Sequence, residues 1–236
     1  MAEDKTSGAE WRGRIVNFIF GSVLAGLVTT SFTYKTWQEQ ARLDFAKERL
    51  KEANAAYDTT SQLMSARIFR SYDVVRHIGD KDDSFPKRRE TLDQAVDNWN
   101  LSYPDALQRF QFSLEVDDKG RSRPLREISS GSLDGKLDCT KAFDDQNRPP
   151  RADWDSPSWL LAAFHYCVIR TDISRKSGEV AKLPATPARY ATIIQMDEKI
   201  DQLSTHADHV RVAAKKAIQK RRTGVETHGF LEFLGF

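Results

Sequence analysis

The feature that most constrains this chain is a stretch of twenty residues, 15–34, without a single charged side chain. It reads IVNFIFGSVLAGLVTTSFTY, with Arg14 directly before it and Lys35 directly after it. A helix of this length is roughly 30 Å long, which is close to the thickness of the hydrocarbon core of a bilayer. Trp11 and Trp37 lie near its two ends, where aromatic residues are common at membrane interfaces. The stretch therefore predicts a single transmembrane helix.

Two other interpretations of this stretch stay open. A cleaved signal peptide needs small residues at its cleavage site, and residues 29–31 offer only Thr-Thr-Ser. A buried core helix of a soluble domain is seldom this long and free of charge. The mean hydropathy of the whole chain is −0.59, which excludes a protein with several membrane spans.

Small residues recur within the stretch at helical spacing. Gly21 lies four residues before Ala25, and Ser22 lies four residues before Gly26. Residues four apart share a helix face, and small side chains let two helices approach closely in lipid. One hypothesis is that this face packs on a second helix. The commoner explanation is that Gly and Ala are simply frequent in membrane helices.

The sequence beyond residue 34 is typical of a helical bundle. No segment alternates apolar and polar residues over a length that would indicate a strand. Antiparallel packing of the helical segments gives an all-α bundle of about four helices, the first of which continues directly from the apolar stretch. The four segments are residues 35–78, residues 86–114 with a kink or break expected at Pro104, residues 157–173, which are apolar nearly all round, and residues 188–222.

The sequence divides into four predicted regions. These are an N-terminal tail (1–14), the transmembrane helix (15–34), a helical bundle domain (35–222) and an amphipathic C-terminal tail (223–236). Residues 117–157 are polar and rich in Gly and Pro, which predicts a long irregular loop within the bundle domain. Residues 176–187 contain two prolines and are expected to form a linker.

The last predicted helix is strongly basic, because residues 211–222 carry six cations and no acid. In an antiparallel bundle this end returns toward the membrane, where each cation near an anionic leaflet contributes about 1 kcal/mol. The alternative is a cationic helix end favoured by the helix dipole, with the tail folded back on the bundle. The predicted membrane-surface residues are Lys215, Lys216, Lys220, Arg221, Arg222, Phe230, Phe233 and Phe236.

The two cysteines of the chain leave a further question open. Cys139 lies in the predicted loop and Cys167 in the third helix. They are either two free thiols or a disulfide between loop and bundle, which needs an oxidising compartment.

The cations on the two sides of the apolar stretch are too nearly equal in number to decide its orientation in a membrane. Because the C-terminal cations suit an anionic cytoplasmic leaflet, we expect the bundle on the cytoplasmic side of the cell membrane.

The sequence contains no recognisable catalytic constellation. Residues 131–136, GSLDGK, resemble a phosphate-binding loop but have too few residues between the glycines. His206 and His209 are three residues apart on a predicted helix, a spacing that can place two imidazoles on one metal, but no third ligand accompanies them. We therefore expect no cofactor and no metal.

The leading hypothesis is a non-enzymatic, single-pass membrane protein whose bundle acts as an interaction, scaffold or sensing subunit. Its expected partners are the membrane and either further copies of the chain or another membrane protein. Nucleic acid is not expected, because 36 Lys and Arg nearly balance 34 Asp and Glu. Two alternatives are a membrane-tethered, metal-dependent hydrolase or effector that uses His206 and His209, and an effector that perturbs membranes through its C-terminal segment.

Overall fold

The computed structural model describes residues 7–78, 84–115, 137, 139 and 156–233. Side chains are described between residues 11 and 224 of these ranges, apart from those of residues 12, 13, 15 and 16. Every regular element in the described ranges is an α-helix, which confirms the predicted all-α class. The helices are α1 (Ser7–Arg76), α2 (Ser84–Leu114), α3 (Pro157–Thr171), α4 (Ile173–Ala181) and α5 (Pro187–Phe233).

The chain divides into two compact units, residues 1–48 and residues 49–236. The described part of the first unit is the N-terminal portion of α1. The second unit contains the rest of α1 together with α2, α3, α4 and α5, and it is a helical bundle around one apolar core. Removal of these apolar side chains from water is the main term that stabilises the bundle. Among the buried side chains are Met64, Val74, Leu92, Trp99, Phe110, Leu161, Phe164, Val180, Ile200 and Val210.

The pairing of α1 with α5 shows that these helices run antiparallel within the second unit. Tyr72 donates a hydrogen bond to Asp201, whereas Ser61, earlier in α1, accepts one from Arg211, later in α5. The segment predicted to be apolar all round, α3, is buried along most of its length. The sequence-based prediction of a helical bundle is thus confirmed.

Residues 176–187 do not form the linker that the sequence predicts, because α4 occupies Ile173–Ala181. Asp172 separates α3 from α4 with a left-handed backbone conformation, φ 44° and ψ 53°. Asp tolerates this conformation better than most residues, since its short side chain makes local hydrogen bonds. Here Oδ1 accepts from the backbone N–H of Arg175 and caps α4. The connection to α5 is therefore only residues 182–186, and Pro187 takes the first position of α5.

Other helix boundaries also differ from those expected. α2 continues through the exposed Pro104, so the break considered there does not occur. α1 already begins within the predicted tail 1–14, and α5 continues through most of the predicted tail 223–236. The predicted loop 117–157 lies almost entirely outside the described residues.

Within the described ranges, none of the helices combines the length and the apolar character that crossing a membrane requires. The predicted transmembrane helix at residues 15–34 is therefore not supported. The physical reason is its composition. Asn17 near the start of the segment and Thr29, Thr30 and Thr33 in its second half lower its mean hydropathy, although the threonine hydroxyls are paired within the helix.

Candidate functional site

The first unit exposes large apolar side chains on every side of α1. Phe18 and Phe32 are 76% and 74% exposed, and adjacent positions between them are exposed as well. We call residues 17–34 the apolar segment. A helix that is apolar all round is normally buried, either within protein or within lipid. Its exposed large side chains are Phe18, Ile19, Phe20, Val23, Leu24, Leu27, Val28, Phe32 and Tyr34.

Hydroxyl groups of the apolar segment are satisfied by the helix that carries them. Thr29 Oγ1 donates to the carbonyl oxygen of Ala25 at 2.7 Å, and Thr30 Oγ1 donates to that of Gly26 at 2.6 Å. Thr33 Oγ1 donates to the Thr29 carbonyl oxygen at 2.8 Å. Because these donors do not need water, they add little to the cost of placing the segment in an apolar environment.

The polarity of α1 changes at the C-terminal end of the apolar segment. The rings of Tyr34 and Trp37 stack with 6.4 Å between their centroids, and Gln38 Nε2 donates to the Tyr34 hydroxyl oxygen at 2.8 Å. Lys35 and Glu39 then form an exposed ion pair. Aromatic rings with polar tips, followed by charges, are typical of a boundary between an apolar and an aqueous environment.

The predicted helix-packing residues lie on the exposed surface of the first unit. Gly21, Ser22, Ala25 and Gly26 are all exposed. A Cβ atom added to either Gly21 or Gly26 would meet nothing within 4 Å, so the surface there is open to a second helix. Packing through this face stays a prediction.

The predicted membrane-surface cations are mostly exposed along the C-terminal part of α5. Lys215 Nζ lies 5.7 Å from the centroid of the Tyr57 ring, a cation–π contact that joins α5 to α1. Arg221 is half-buried, whereas Lys215, Lys216, Lys220 and Arg222 are exposed. The side chains of Phe230, Phe233 and Phe236 lie outside the described residues. Binding of this surface to a membrane stays a prediction.

His206 and His209, the pair considered for a metal, differ in their surroundings. His206 is fully buried and His209 is half-buried. His206 Nε2 lies 3.4 Å from the Cys139 carbonyl oxygen, and burial lowers the pKa of His206 to about 4 although this hydrogen bond raises it. In the part of the chain that the structure describes, no three His, Cys, Asp or Glu side chains are grouped to hold a metal. The geometry thus adds no support for the metal-dependent alternative.

The second unit contains a disulfide between Cys139 and Cys167, whose Cα atoms are 5.4 Å apart. Of the two alternatives that the sequence leaves open, the structure contains the bonded one. Cys167 is fully buried in α3, and both Cys139 and Leu137 pack against the core. Together with the His206 contact, the bond fixes Cys139 onto α3 and α5.

Glu115 and Ser156, which flank residues 116–155, both form hydrogen bonds with the first turn of α3. Glu115 accepts two hydrogen bonds from Ser158, one from the backbone N–H at 2.7 Å and one from the hydroxyl group at 2.6 Å. Ser156 Oγ accepts from the Trp159 N–H at 3.1 Å, so Ser156 is the N-cap of α3. Glu115 and Ser156 therefore lie close together although forty residues separate them.

An aromatic cluster occupies the interface between α2 and α3. Trp99 is fully buried, and its Nε1 donates to Nδ1 of His165 at 2.9 Å. Phe164 meets the Trp99 ring edge-on at 5.2 Å, and Tyr103 stacks on His165 at 3.5 Å. Burial, with a smaller contribution from Arg67, lowers the pKa of His165 to about 4, so its neutral ring can accept this bond. The cluster packs α2 against α3.

Lowering the pH is expected to destabilise the second unit through His206. Its pKa is about 4 in the folded chain against 6.5 ordinarily, so the unfolded chain binds the proton first as the pH falls below about 6.5. The contribution of His206 to stability is complete above pH 6.5 and declines by about 2–3 kcal/mol toward pH 4. Urea denaturation at several pH values measures this decline.

The matched variants for that experiment lie side by side on α5. His206→Gln should remove the part of the pH dependence of stability that comes from protonation of His206. Thr205→Ala, at an exposed position, should keep the full pH dependence. The same pH dependence of stability in His206→Gln and in the unmodified chain would contradict the assignment of this dependence to His206.

Comparisons with known proteins identify no relative of this chain. No family model matches the chain, and neither curated proteins nor solved structures give a match.

Proposed function

We propose that the chain is a membrane-anchored helical-bundle protein that works by binding other proteins, as an interaction, scaffold or sensing subunit, and not by catalysis. The observation that carries the proposal is the apolar segment, whose large side chains are exposed around the whole helix. An apolar surface of this extent is rare on a soluble monomer and marks an interaction site. The bundle in residues 49–236 is the part that meets partners.

Lipid is the environment that best matches the apolar segment. Its threonine hydroxyls are paired with carbonyl oxygens of the same helix, and it ends at the aromatic pair Tyr34 and Trp37. A protein groove usually covers one stripe of a helix, whereas lipid covers all sides at once. We therefore propose that residues 17–34 hold the chain at a membrane.

The disulfide supports a bundle on the side of the membrane opposite the cytoplasm. The basic C-terminal helix had suggested the cytoplasmic side. Disulfides form and persist in oxidising compartments and are rare in the cytosol. The Cys139–Cys167 bond lies within the core of the bundle. We accordingly propose that the bundle lies on the oxidising side of the cell membrane, with the cations of α5 available to anionic lipid there.

Charges introduced into the apolar segment are expected to release the chain from lipid. The double variant Leu24→Asp/Val28→Asp places two carboxylates one helical turn apart, and each costs about 2.5–3.5 kcal/mol in the centre of a bilayer. The full chain should float with liposomes in a density gradient, and the double variant should stay in the aqueous fractions.

Phe45 supplies the matched control for the flotation experiment. It is 61% exposed on the same helix but lies outside the apolar segment, so Phe45→Asp should still float. Equal flotation of the double variant and the unmodified chain would refute anchoring through this segment. So would failure of the unmodified chain to float.

The proposed partner is another copy of the chain or a second membrane protein. The open surface over Gly21 and Gly26 supports close approach of another helix in lipid. Purification of the full chain from native membranes in mild detergent should yield an assembly larger than one chain. A strictly monomeric chain without a co-purifying protein would argue against an interaction subunit.

A further inference from the structure

A small, partly open cavity lies in the second unit, between α1, α2, α5 and the junction of α3 with α4. Its volume is about 40 Å³. Most of its wall is aliphatic, but four polar residues also line it, and they come from α1 and from the α3–α4 junction. These residues are Arg67, Ser71, Asp172 and Ser174.

The guanidinium group of Arg67 is the unusual part of this wall. Arg67 is only 9% exposed, and burial lowers its pKa to about 10 against the opposing effect of Asp172. A guanidinium carries five N–H donors. Within the described residues Arg67 uses one of them, in a long hydrogen bond of 3.4 Å from Nη1 to the Val96 carbonyl oxygen. The other side-chain nitrogen atoms of Arg67 are not sealed from solvent, so water can reach them as an acceptor.

Asp172 is the natural counter-charge, but it does not reach Arg67 directly. Its carboxylate is held from the other side, where Arg175 Nε donates to Oδ2 at 2.6 Å. Ser174, which also lines the cavity, donates its hydroxyl proton to Asp93. Ser71 donates its own to the Arg67 carbonyl oxygen at 2.9 Å. Arg67 and Asp172 thus line one cavity, and their side chains form no hydrogen bond or ion pair with each other.

We infer that this cavity binds ordered water that bridges the Arg67 guanidinium to the Asp172 carboxylate. A volume of about 40 Å³ accommodates roughly two or three water molecules. An anion would be repelled by Asp172, and a cation by Arg67, whereas water both donates and accepts. The inference concerns the interior of the bundle and does not depend on the proposed membrane function.

The bridging water forms a polar contact between α1 and the junction of α3 with α4. Asp172 is the residue at which α3 stops and α4 starts, and its left-handed backbone is stabilised by its own side chain. A water bridge to Arg67 connects this junction to α1. The position of α4 then depends on a hydrated ion pair as well as on apolar packing.

A substitution that fills the cavity tests the inference through the direction in which it changes the melting temperature. Val168 lines the cavity, and Val168→Ile adds one methylene group to it. If the cavity holds bridging water, this change displaces the water and lowers the melting temperature of the full chain in detergent. In the Arg67→Met/Asp172→Asn background the cavity has no charges to bridge, so the same change should be neutral or should raise the melting temperature.

Two controls separate the water bridge from simple overpacking. Overpacking would make Val168→Ile equally harmful in both backgrounds, and that result would overturn the inference. Val210→Ile, at a fully buried valine that does not line the cavity, should have the same effect in both backgrounds. A high-resolution crystal structure of the full chain should then show water between Arg67 and Asp172, whereas a direct ion pair, a bound anion or an empty cavity there would overturn it.

Discussion

Replacement of both cysteines by alanine is expected to lower the free energy of unfolding by about 3–4 kcal/mol. Cys139 and Cys167 are 28 residues apart, and their bond restricts the unfolded chain over that whole loop. The change also removes the covalent link that holds Cys139 on α3. Urea denaturation of the full chain in detergent, with the double variant beside it, measures the loss.

Reductant provides the matched control for the double cysteine variant. Reduction of the unmodified chain should cause a similar loss of stability, while the double variant should not respond to reductant. Alkylation after denaturation without reductant should leave both cysteines unmodified. Two alkylated cysteines in protein isolated from cells would contradict both the disulfide and the oxidising compartment that we propose for the bundle.

The substitution Trp99→Ala is expected to destabilise the bundle by about 3–5 kcal/mol from the lost packing alone. Trp99 is fully buried against Phe164 and Tyr103, so its removal leaves a large cavity between α2 and α3. The variant also takes away the N–H donor to His165, which leaves a buried acceptor unsatisfied. Thermal or urea unfolding followed by circular dichroism measures the effect.

Two further tryptophan variants divide this effect into its parts. Trp99→Phe keeps an aromatic ring but loses the donor, so it should cost less than Trp99→Ala and still be clearly destabilising. Trp37→Ala removes the same side chain at a position that is 65% exposed in the first unit, and it should leave the stability of the bundle unchanged. Equal effects of Trp99→Ala and Trp37→Ala would contradict the assignment of Trp99 to the core.

Much of the bundle is predictable from the sequence because helical periodicity is a local signal. Apolar residues on nearly every side of α3 correctly indicate a helix that is buried along most of its length, although Arg170 lies in its last turn. The same local reasoning fails at α4. Gly178 and the two nearby prolines suggest a linker, but Asp172 caps the helix and Gly178 accommodates the Arg89 side chain from α2.

Other features depend on contacts between distant residues and cannot be read from spacing. Two cysteines allow either thiols or a disulfide, and only the packing of Leu137 and Cys139 against the core brings their sulfur atoms together. Arg67 belongs to a charged helix segment, and nothing in its neighbours along the chain indicates a buried guanidinium opposite Asp172. His206 is likewise buried by a contact with Cys139, 67 residues away in the sequence.

Extraction of native membranes with alkaline carbonate tests the central claim most directly. The claim is that the apolar segment holds the helical bundle at a membrane. If it is correct, the full chain stays in the membrane pellet after the carbonate wash and dissolves only when detergent is added. Release of the chain into the carbonate supernatant, without detergent, would contradict it.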